Sequence, residues 1–518
     1  MGMRRSADEP GVATDARSRP ELGGVVLAVA CAAQFMVVLD ISVVNVALPS
    51  IQRALGFDST SQQWVVNAYA LTFAGLLPLG GRLADLFGRK RSYLLGLALF
   101  SGASLAGGLA NSAGLLIAAR AVQGVGAAVL APATLTILTT TFPEGTQRTR
   151  ALAMWTAVGI AGGTAGNLVG GVLTEYLSWR WTLLINVPIG TVAILLAARF
   201  VAADHTAGTR RRVDVPGAVL ATAGLALLAY GIAQAGEQGW DAPSTLTGVL
   251  AGLALLGVFA VVESRFAAVP LIPSRLFRIR SVAAGNAAML LAGACLNPMW
   301  MFLTLSMQNV LHYSPIQTGL AFLPHTVVQM AVGARVTPWL MRLLDGRVLI
   351  AAGALIAAAG FWWQGDLNPH SGYLTGILGP AIVFSIGSAL VNTPLTTAVT
   401  SGVATEDAGA ASGLMNTTKQ VGGALGLAAL VTVAATTTTT PEALAADYGR
   451  AFDVIAVLMV VVMATAFLLP PQRDRQRARR DASGDGRGSG RAARKAARNE
   501  HLIPGNRLHV TGTTTDLE

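Results

Sequence analysis

The chain has 518 residues, of which 53% are hydrophobic and 12% are charged, and its formal net charge is +10. A soluble domain carries about 25% charged residues, so the composition argues against a water-soluble protein. The two cysteines, Cys31 and Cys295, lie in apolar stretches without metal-ligand spacing, so we expect neither a disulfide framework nor a metal site.

Apolar residues recur along the chain in stretches of about 20, which is the helix length needed to cross a bilayer core of roughly 30 Å. Backbone groups in lipid must bond within their own segment, so these stretches are predicted to be helices. Fourteen stretches are predicted, near residues 22–48, 62–81, 93–110, 113–141, 150–175, 182–200, 215–235, 246–262, 281–306, 316–338, 347–365, 373–398, 413–435 and 451–470.

The spacing of these stretches indicates six helices, then two, then six. We predict an all-α integral membrane protein with an N-terminal six-helix bundle at 22–200 and a C-terminal six-helix bundle at 281–470. Two additional transmembrane helices, at 215–262, are predicted between the bundles. The first apolar run is too long for a signal-peptide core and lacks a cleavage site, so it is predicted to remain as a helix.

Basic loop residues indicate the orientation of the chain. With the N-terminus inside, most of them fall in cytoplasmic loops, and the opposite loops hold only Arg53, Arg180 and Arg450. The positive-inside rule then predicts both termini in the cytoplasm of a multi-pass bacterial inner-membrane protein. The chain ends, 1–21 and 471–518, are predicted to be disordered tails. The C-terminal tail is rich in arginine without interleaved aromatics, which favours contact with anionic lipid over nucleic acid.

Two opposite charges are predicted at the same membrane depth. Asp40 lies about eight residues from the outer end of the first helix, and Arg120 about seven residues from the outer end of the fourth. At 1.5 Å per residue, both lie roughly 10–12 Å below the outer surface. One interpretation is a structural ion pair. The other is that Asp40 exchanges protons or contacts substrate while Arg120 tunes it, since charges inside a membrane mark function.

The cytoplasmic loop between the second and third helices reads GRLADLFGRKR from Gly81 to Arg91. It resembles the signature loop of the major facilitator superfamily, Gly-x-Leu-Ala-Asp-x-x-Gly-Arg-Lys. The resemblance implies a cytoplasmic gating network rather than a substrate site. Its residues here are Gly81, Asp85, Gly88, Arg89 and Lys90.

Further strings resemble the fourteen-span drug/proton antiporter branch of that superfamily. They include LDISVVNVALP from Leu39, RAVQGVG from Arg120, and SWRW with INVPIG from Ser178 and Ile185. The resemblance covers residues 22–470 and implies the two-bundle fold, alternating access, a proton gradient as energy source without a cofactor, and a monomer. Arg120 matches the arginine linked to proton coupling, and Asn167 stands where the branch usually has proline in the fifth helix.

Polar, aromatic and sulfur-containing residues of several helices are candidates for the wall of a substrate cavity, although interhelical packing is the competing interpretation for each. For His325 the favoured interpretation is a hydrogen-bonded packing residue, and contact with substrate or a proton is the alternative. Lys419 is expected near the cytoplasmic end of the thirteenth helix, where its ammonium group can reach the interface. The cavity candidates are Met36, Asn45, Gln123, Trp155, Asn167, Trp300, Gln308 and His325.

The predicted function is export of hydrophobic or amphipathic drugs in exchange for protons. The sequence has no Gly-x-x-x-x-Gly-Lys-[Ser/Thr] loop, which argues against direct use of ATP. It shows no nucleophile–base pair, so we do not expect an enzyme. The alternatives are an exporter dedicated to one self-made antibiotic and a non-transporting membrane sensor. The scarcity of acids within the helices argues against dications and favours neutral or monocationic substrates.

Overall fold

Helix is the secondary structure expected of these apolar stretches, because lipid offers no partners for backbone N–H and C=O groups. A computed structural model of the chain agrees, since its regular structure is helical and contains no strand among the residues it describes. Those residues are 20–58, 61–143, 145–201, 214–266, 270–271, 274–401, 403, 408–434 and 440–471. The predicted tails, 1–21 and 471–518, lie almost wholly outside them.

Six helices form the first group. They are α1 (Pro20–Leu55), α2 (Trp64–Phe87), α3 (Arg89–Gly108), α4 (Ala113–Thr141), α5 (Thr146–Tyr176) and α6 (Trp181–Phe200). Two helices follow, α7 (Val215–Gln238) and α8 (Pro243–Phe266).

Six more helices form the last group. They are α9 (Arg280–Val310), α10 (residues 315–343), α11 (Gly346–Gly365), α12 (Leu374–Thr400), α13 (Ala408–Val433) and α14 (Pro441–Ala466). The α10 helix runs over Pro315–Ala331 and continues through a π-helical turn, Val332–Val336, into Thr337–Leu343.

Eleven helices in the described part of the chain are long and apolar enough to cross a membrane. The other three, α3, α10 and α13, contain charged or polar residues that lower their hydropathy, among them Arg89, Arg335 and Lys419. The all-helical membrane fold is therefore confirmed, whereas the count of fourteen spans stays a prediction.

Close helix packing in the first group depends on small residues. The α1 helix packs on α5, while α4 packs on both α2 and α3. At Gly80 of α2, a Cβ atom would overlap the carbonyl oxygen of Ala128 in α4, so only glycine permits this approach. In the last group, α11 packs on α12 and α14, and α9 packs on α13.

The α7 and α8 helices pack against each other, and α7 also packs against α2 and α13. Gly231 and Gly248 face each other where α7 and α8 cross, since a Cβ on either would lie 2.5–2.7 Å from the partner backbone. The Thr432 hydroxyl donates to the Ile232 carbonyl at 2.8 Å, which joins α13 to α7.

The two groups meet tightly at the end of the bundle predicted to face outside. A Cβ on Gly171 of α5 would lie 2.5 Å from the Pro315 carbonyl oxygen of α10. The Glu175 carboxylate accepts hydrogen bonds from the Ser314 hydroxyl at 2.5 Å and the Ile316 amide at 2.9 Å. These contacts close the bundle between α5 and α10 at that end.

Candidate functional site

The predicted charge pair is present and fully buried. Arg120 Nη1 donates to Asp40 Oδ2 at 2.5 Å, and the two side chains are 2% and 0% exposed. The α1 and α4 helices pack on each other and bring the two side chains together, as their matched depth predicts. A buried arginine without a counter-charge would be strongly destabilising, so each residue stabilises the other in place.

Three further side chains complete the cluster around Asp40. Gln123 Nε2 donates to Asp40 Oδ1 at 3.0 Å and to Ser104 Oγ at 2.6 Å. Asn186 Nδ2 of α6 donates to the same Asp40 oxygen at 2.8 Å. With Arg120, the carboxylate therefore accepts three hydrogen bonds, so both of its buried oxygens are paired.

Arg120 also connects the cluster to a cavity. Its Nε donates to the Val65 carbonyl at 2.9 Å, and its guanidinium lies 4.5 Å from the centroid of the Tyr69 ring. Both Arg120 and Tyr69 line the cavity, whereas Asp40 lies behind them. Asp40 therefore contacts the cavity wall through its arginine partner.

The cavity lies between the two bundles and has two lobes of about 470 and 480 Å³. The first lobe is bounded by α1, α5, α9, α10 and α12, and the second by α1, α2, α4, α5, α9 and α13. Val38, Ile41, Asn45 and Trp300 line both lobes, so the two lobes are adjacent. Cavities of this size suit small organic ligands.

Four of the eight predicted cavity residues lie on these walls. Asn45 and Trp300 face both lobes, Asn167 faces the first, and Trp155 faces the second. The α5 helix continues through Asn167 without interruption. Asn167 also lies at the contact with α10, because a Cβ on Gly319 would lie 2.5 Å from its carbonyl oxygen.

The other four predicted residues lie behind the walls, and their placement on the cavity surface needs correction. Met36 is fully buried in the first bundle, where its sulfur lies beside Gly190 of α6. Gln123 belongs to the Asp40 cluster. Gln308 Nε2 donates to the Val46 carbonyl at 2.9 Å, joining α9 to α1. Polar or sulfur-containing side chains marked these residues as candidates, but each one packs against a neighbouring helix.

His325 is enclosed by aromatic rings. The centroids of Trp300, Phe322 and Phe384 lie 5.4, 5.6 and 5.8 Å from its ring, and its Nδ1 is 3.2 Å from Ser385 Oγ. This environment matches the packing interpretation of His325. Its link to the cavity is indirect, through Trp300.

The signature loop is shorter than expected. Gly81 and Asp85 belong to α2, and Gly88, at φ 90°, forms the turn before α3 begins at Arg89. Glycine adopts this backbone conformation without steric cost. Lys90 Nζ donates to the Ala198 carbonyl near the end of α6 at 2.7 Å, a favourable place for a cation. The Asp85 side chain lies outside the described part, so its gating role stays a prediction.

Sequence reasoning missed Tyr69, Ser104 and Asn186. Only Asn186 carried a signal, because it lies in the INVPIG string that resembles the antiporter branch. Its contact with Asp40 joins residues 146 positions apart, which the sequence alone does not reveal.

Comparison with known proteins places this geometry in a family. The profile of the Major Facilitator Superfamily matches residues 30–427. The chain is 57% identical over 459 residues to the cephamycin export protein CmcT of Amycolatopsis lactamdurans, covering 88% of this chain and 94% of that protein. It is 42% identical to the puromycin resistance protein pur8 of Streptomyces alboniger, covering 82% and 83% respectively.

Solved structures support the fold alone. A peptide transporter, POT, determined in complex with sulfate has a TM-score of 0.64 at 16% identity, covering 88% of this chain and 96% of that one. The nucleoside transporter NupG has a TM-score of 0.62 at 14% identity, covering 86% and 100%. The profile match over residues 30–427 and the two relatives show that the chain is a multi-pass membrane transporter belonging to the Major Facilitator Superfamily.

Proposed function

We propose that this protein exports small amphipathic molecules, antibiotics among them, in exchange for protons by alternating access. The observation that carries the proposal is the buried Asp40 carboxylate, whose partner Arg120 forms part of the cavity wall. A proton binding site one side chain away from the substrate space is the arrangement that exchange requires. The export and resistance proteins among the relatives support the direction of transport.

In this mechanism, Asp40 is ionised while Arg120, Gln123 and Asn186 donate to it. A proton that reaches Asp40 removes its charge and leaves the Arg120 guanidinium without a counter-charge. Arg120 then favours a different position or solvent exposure, because an unpaired buried cation is costly. The cavity wall therefore responds to the proton, and the cycle returns when Asp40 releases it to the cytoplasm.

Alternating access requires the outer contact between α5 and α10 to open. That contact includes the Gly171 and Gly319 crossings and the Glu175 hydrogen bonds. We propose that the two bundles rock about the cavity, closing its cytoplasmic side as this contact separates. The proposal places the protein in the bacterial inner membrane as a monomer, with both termini in the cytoplasm and the basic tail beside anionic lipid.

An exporter dedicated to one self-made antibiotic is the second candidate function. Its support is the 57% identity to a relative named for the export of cephamycin. The two candidates differ in substrate breadth and share the same coupling. Resistance profiling of a strain that overproduces the protein separates them, since a dedicated exporter raises resistance to one chemical type only.

Everted membrane vesicles test the coupled export directly. With a proton gradient in place, vesicles containing the protein should accumulate a fluorescent drug, and a protonophore should abolish the accumulation. Vesicles from a strain without the protein provide the baseline. Accumulation that persists after the gradient is dissipated would contradict proton coupling, and no accumulation of any antibiotic tested would favour the membrane sensor.

A further inference from the structure

The second lobe of the cavity contains a cation whose role the proposed mechanism leaves open. Lys419 of α13 lines this lobe together with Arg120. We infer that Lys419 is the anion-binding group of the cavity, and that the exported molecules are amphipathic anions, carboxylates above all. This inference rests on the proposed export function and specifies its substrate class.

Lys419 lies deeper than the sequence indicates. The α13 helix begins at Ala408, so Lys419 lies about 16 Å along a helix of roughly 39 Å, near its middle. A lysine side chain reaches only about 6 Å from its Cα, which is less than the distance from Lys419 to the start of α13. The structure places this side chain on the cavity wall.

The backbone at Lys419 is held tightly in place. A Cβ on Gly293 of α9 would overlap the Lys419 carbonyl oxygen, so the two helices touch at this point. One residue further, Asn297 Nδ2 donates to Gln420 Oε1 at 3.2 Å across the same crossing. Packing of this kind fixes the direction in which the Lys419 side chain extends from the helix, as a binding residue requires.

The charge of Lys419 has no counter-charge. In the part of the chain that the structure describes, the Lys419 side chain forms no ion pair and no hydrogen bond, whereas Arg120 is paired with Asp40. No aspartate or glutamate is among the described residues that line either lobe. Among the described residues that line the second lobe, Lys419 is therefore a basic group without an acidic partner, and a ligand carboxylate would supply the counter-charge that its ammonium form lacks.

The surroundings of Lys419 suit a molecule with one charged end and an apolar body. Side-chain amides of Asn67, Asn297 and Asn416 line the same lobe and can hydrogen bond to polar groups of a ligand. Apolar walls from Trp300 and Met301 lie in the same lobe. An unpaired lysine among amides and aromatic rings recognises a carboxylate joined to a ring system, rather than the neutral or monocationic substrates indicated by the composition.

Binding to the purified full-length protein in lipid nanodiscs tests the inference. The probes are three aromatic monocarboxylates, benzylpenicillin, dansylglycine and naphthylacetate, each paired with its neutral methyl ester and measured by isothermal titration calorimetry. The parent should bind the carboxylates about tenfold more tightly than their esters. Lys419→Gln should remove this preference and leave ester binding unchanged, while Lys419→Arg should retain it.

A parent protein that binds acid and ester equally would overturn the inference, and so would a preference that survives in Lys419→Gln. Lys495→Gln, which removes a lysine from the predicted tail, controls for the change in net charge. The assay uses no proton gradient, so a failure of proton coupling in vesicles would leave its result unaffected. Conversely, equal binding of acid and ester would leave the proposed export function standing.

Discussion

Replacing Asp40 with asparagine separates the structural role of the buried cluster from its proton role. The carboxylate accepts from Gln123 and Asn186 on one oxygen and from Arg120 on the other. An asparagine can keep the first two bonds through its carbonyl oxygen. Its amide NH2 then faces the Arg120 guanidinium at 2.5 Å, where two donors meet and a buried positive charge has no counter-charge.

The expected cost is about 3–5 kcal/mol, the range typical of removing one partner from a buried ion pair. The Asp40→Asn protein should therefore unfold at a lower temperature in detergent. It should also lose drug accumulation in everted vesicles. Asp453→Asn, which changes an exposed acid on α14, is the matched control and should behave like the parent in both assays.

The double variant Asp40→Asn with Arg120→Gln distinguishes the two roles. Removing both charges eliminates the unpaired arginine, so most of the lost stability should return. Drug accumulation should not return, because no group is left to carry the proton. Recovery of gradient-driven accumulation together with stability would refute the proton assignment and leave Asp40 and Arg120 as a structural pair.

Three further predictions follow from other parts of the structure. Asn186→Ala removes the side chain that donates to Asp40 at 2.8 Å. It should lower the rate of gradient-driven export several-fold and leave probe affinity in nanodiscs unchanged. Equal export rates in the variant and the parent would exclude a role for Asn186 in coupling. Gly171→Val places side-chain atoms against Pro315 and should lengthen spin-label distances between the outer ends of α5 and α10. Gly413→Val is the control, because no atom lies within 4 Å of a Cβ at that position, and it should leave these distances unchanged. Unchanged distances in Gly171→Val would show that this crossing does not close the bundle. Export of a monoanion in exchange for one proton moves two charges across the membrane, whereas export of its neutral ester moves one. Abolishing a 100 mV potential at constant pH gradient therefore removes about 4.6 kcal/mol of driving force for the anion and about 2.3 kcal/mol for the ester. The carboxylate probes should lose more export than the esters in vesicles treated with valinomycin and potassium, and equal losses would argue against an anionic substrate.

The helical fold was predictable because lipid imposes a simple rule, and long apolar stretches can satisfy their backbone groups only as helices. The Asp40–Arg120 pair was also predictable, since helix rise converts sequence position into depth and a charge at that depth needs a partner. Both inferences use distances along the membrane normal, which the sequence records directly.

Position around each helix was harder to predict. A helix enclosed by other helices is apolar on every side, so its pattern does not distinguish core, cavity and lipid. Met36 and His325 therefore looked like cavity residues although they pack behind the wall. The position of Lys419 depended on where α13 begins, and helix ends are the least reliable part of a sequence-based prediction.

Exchange of substrate for protons is the central claim, and purified protein in liposomes measures it most directly. Liposomes containing a pH-sensitive dye and a transported drug are diluted into drug-free buffer, with valinomycin and potassium holding the membrane potential at zero. Efflux of the drug should drive protons inward and acidify the interior, and Asp40→Asn should abolish the acidification. Drug efflux from the parent protein without any change in internal pH would contradict the exchange mechanism.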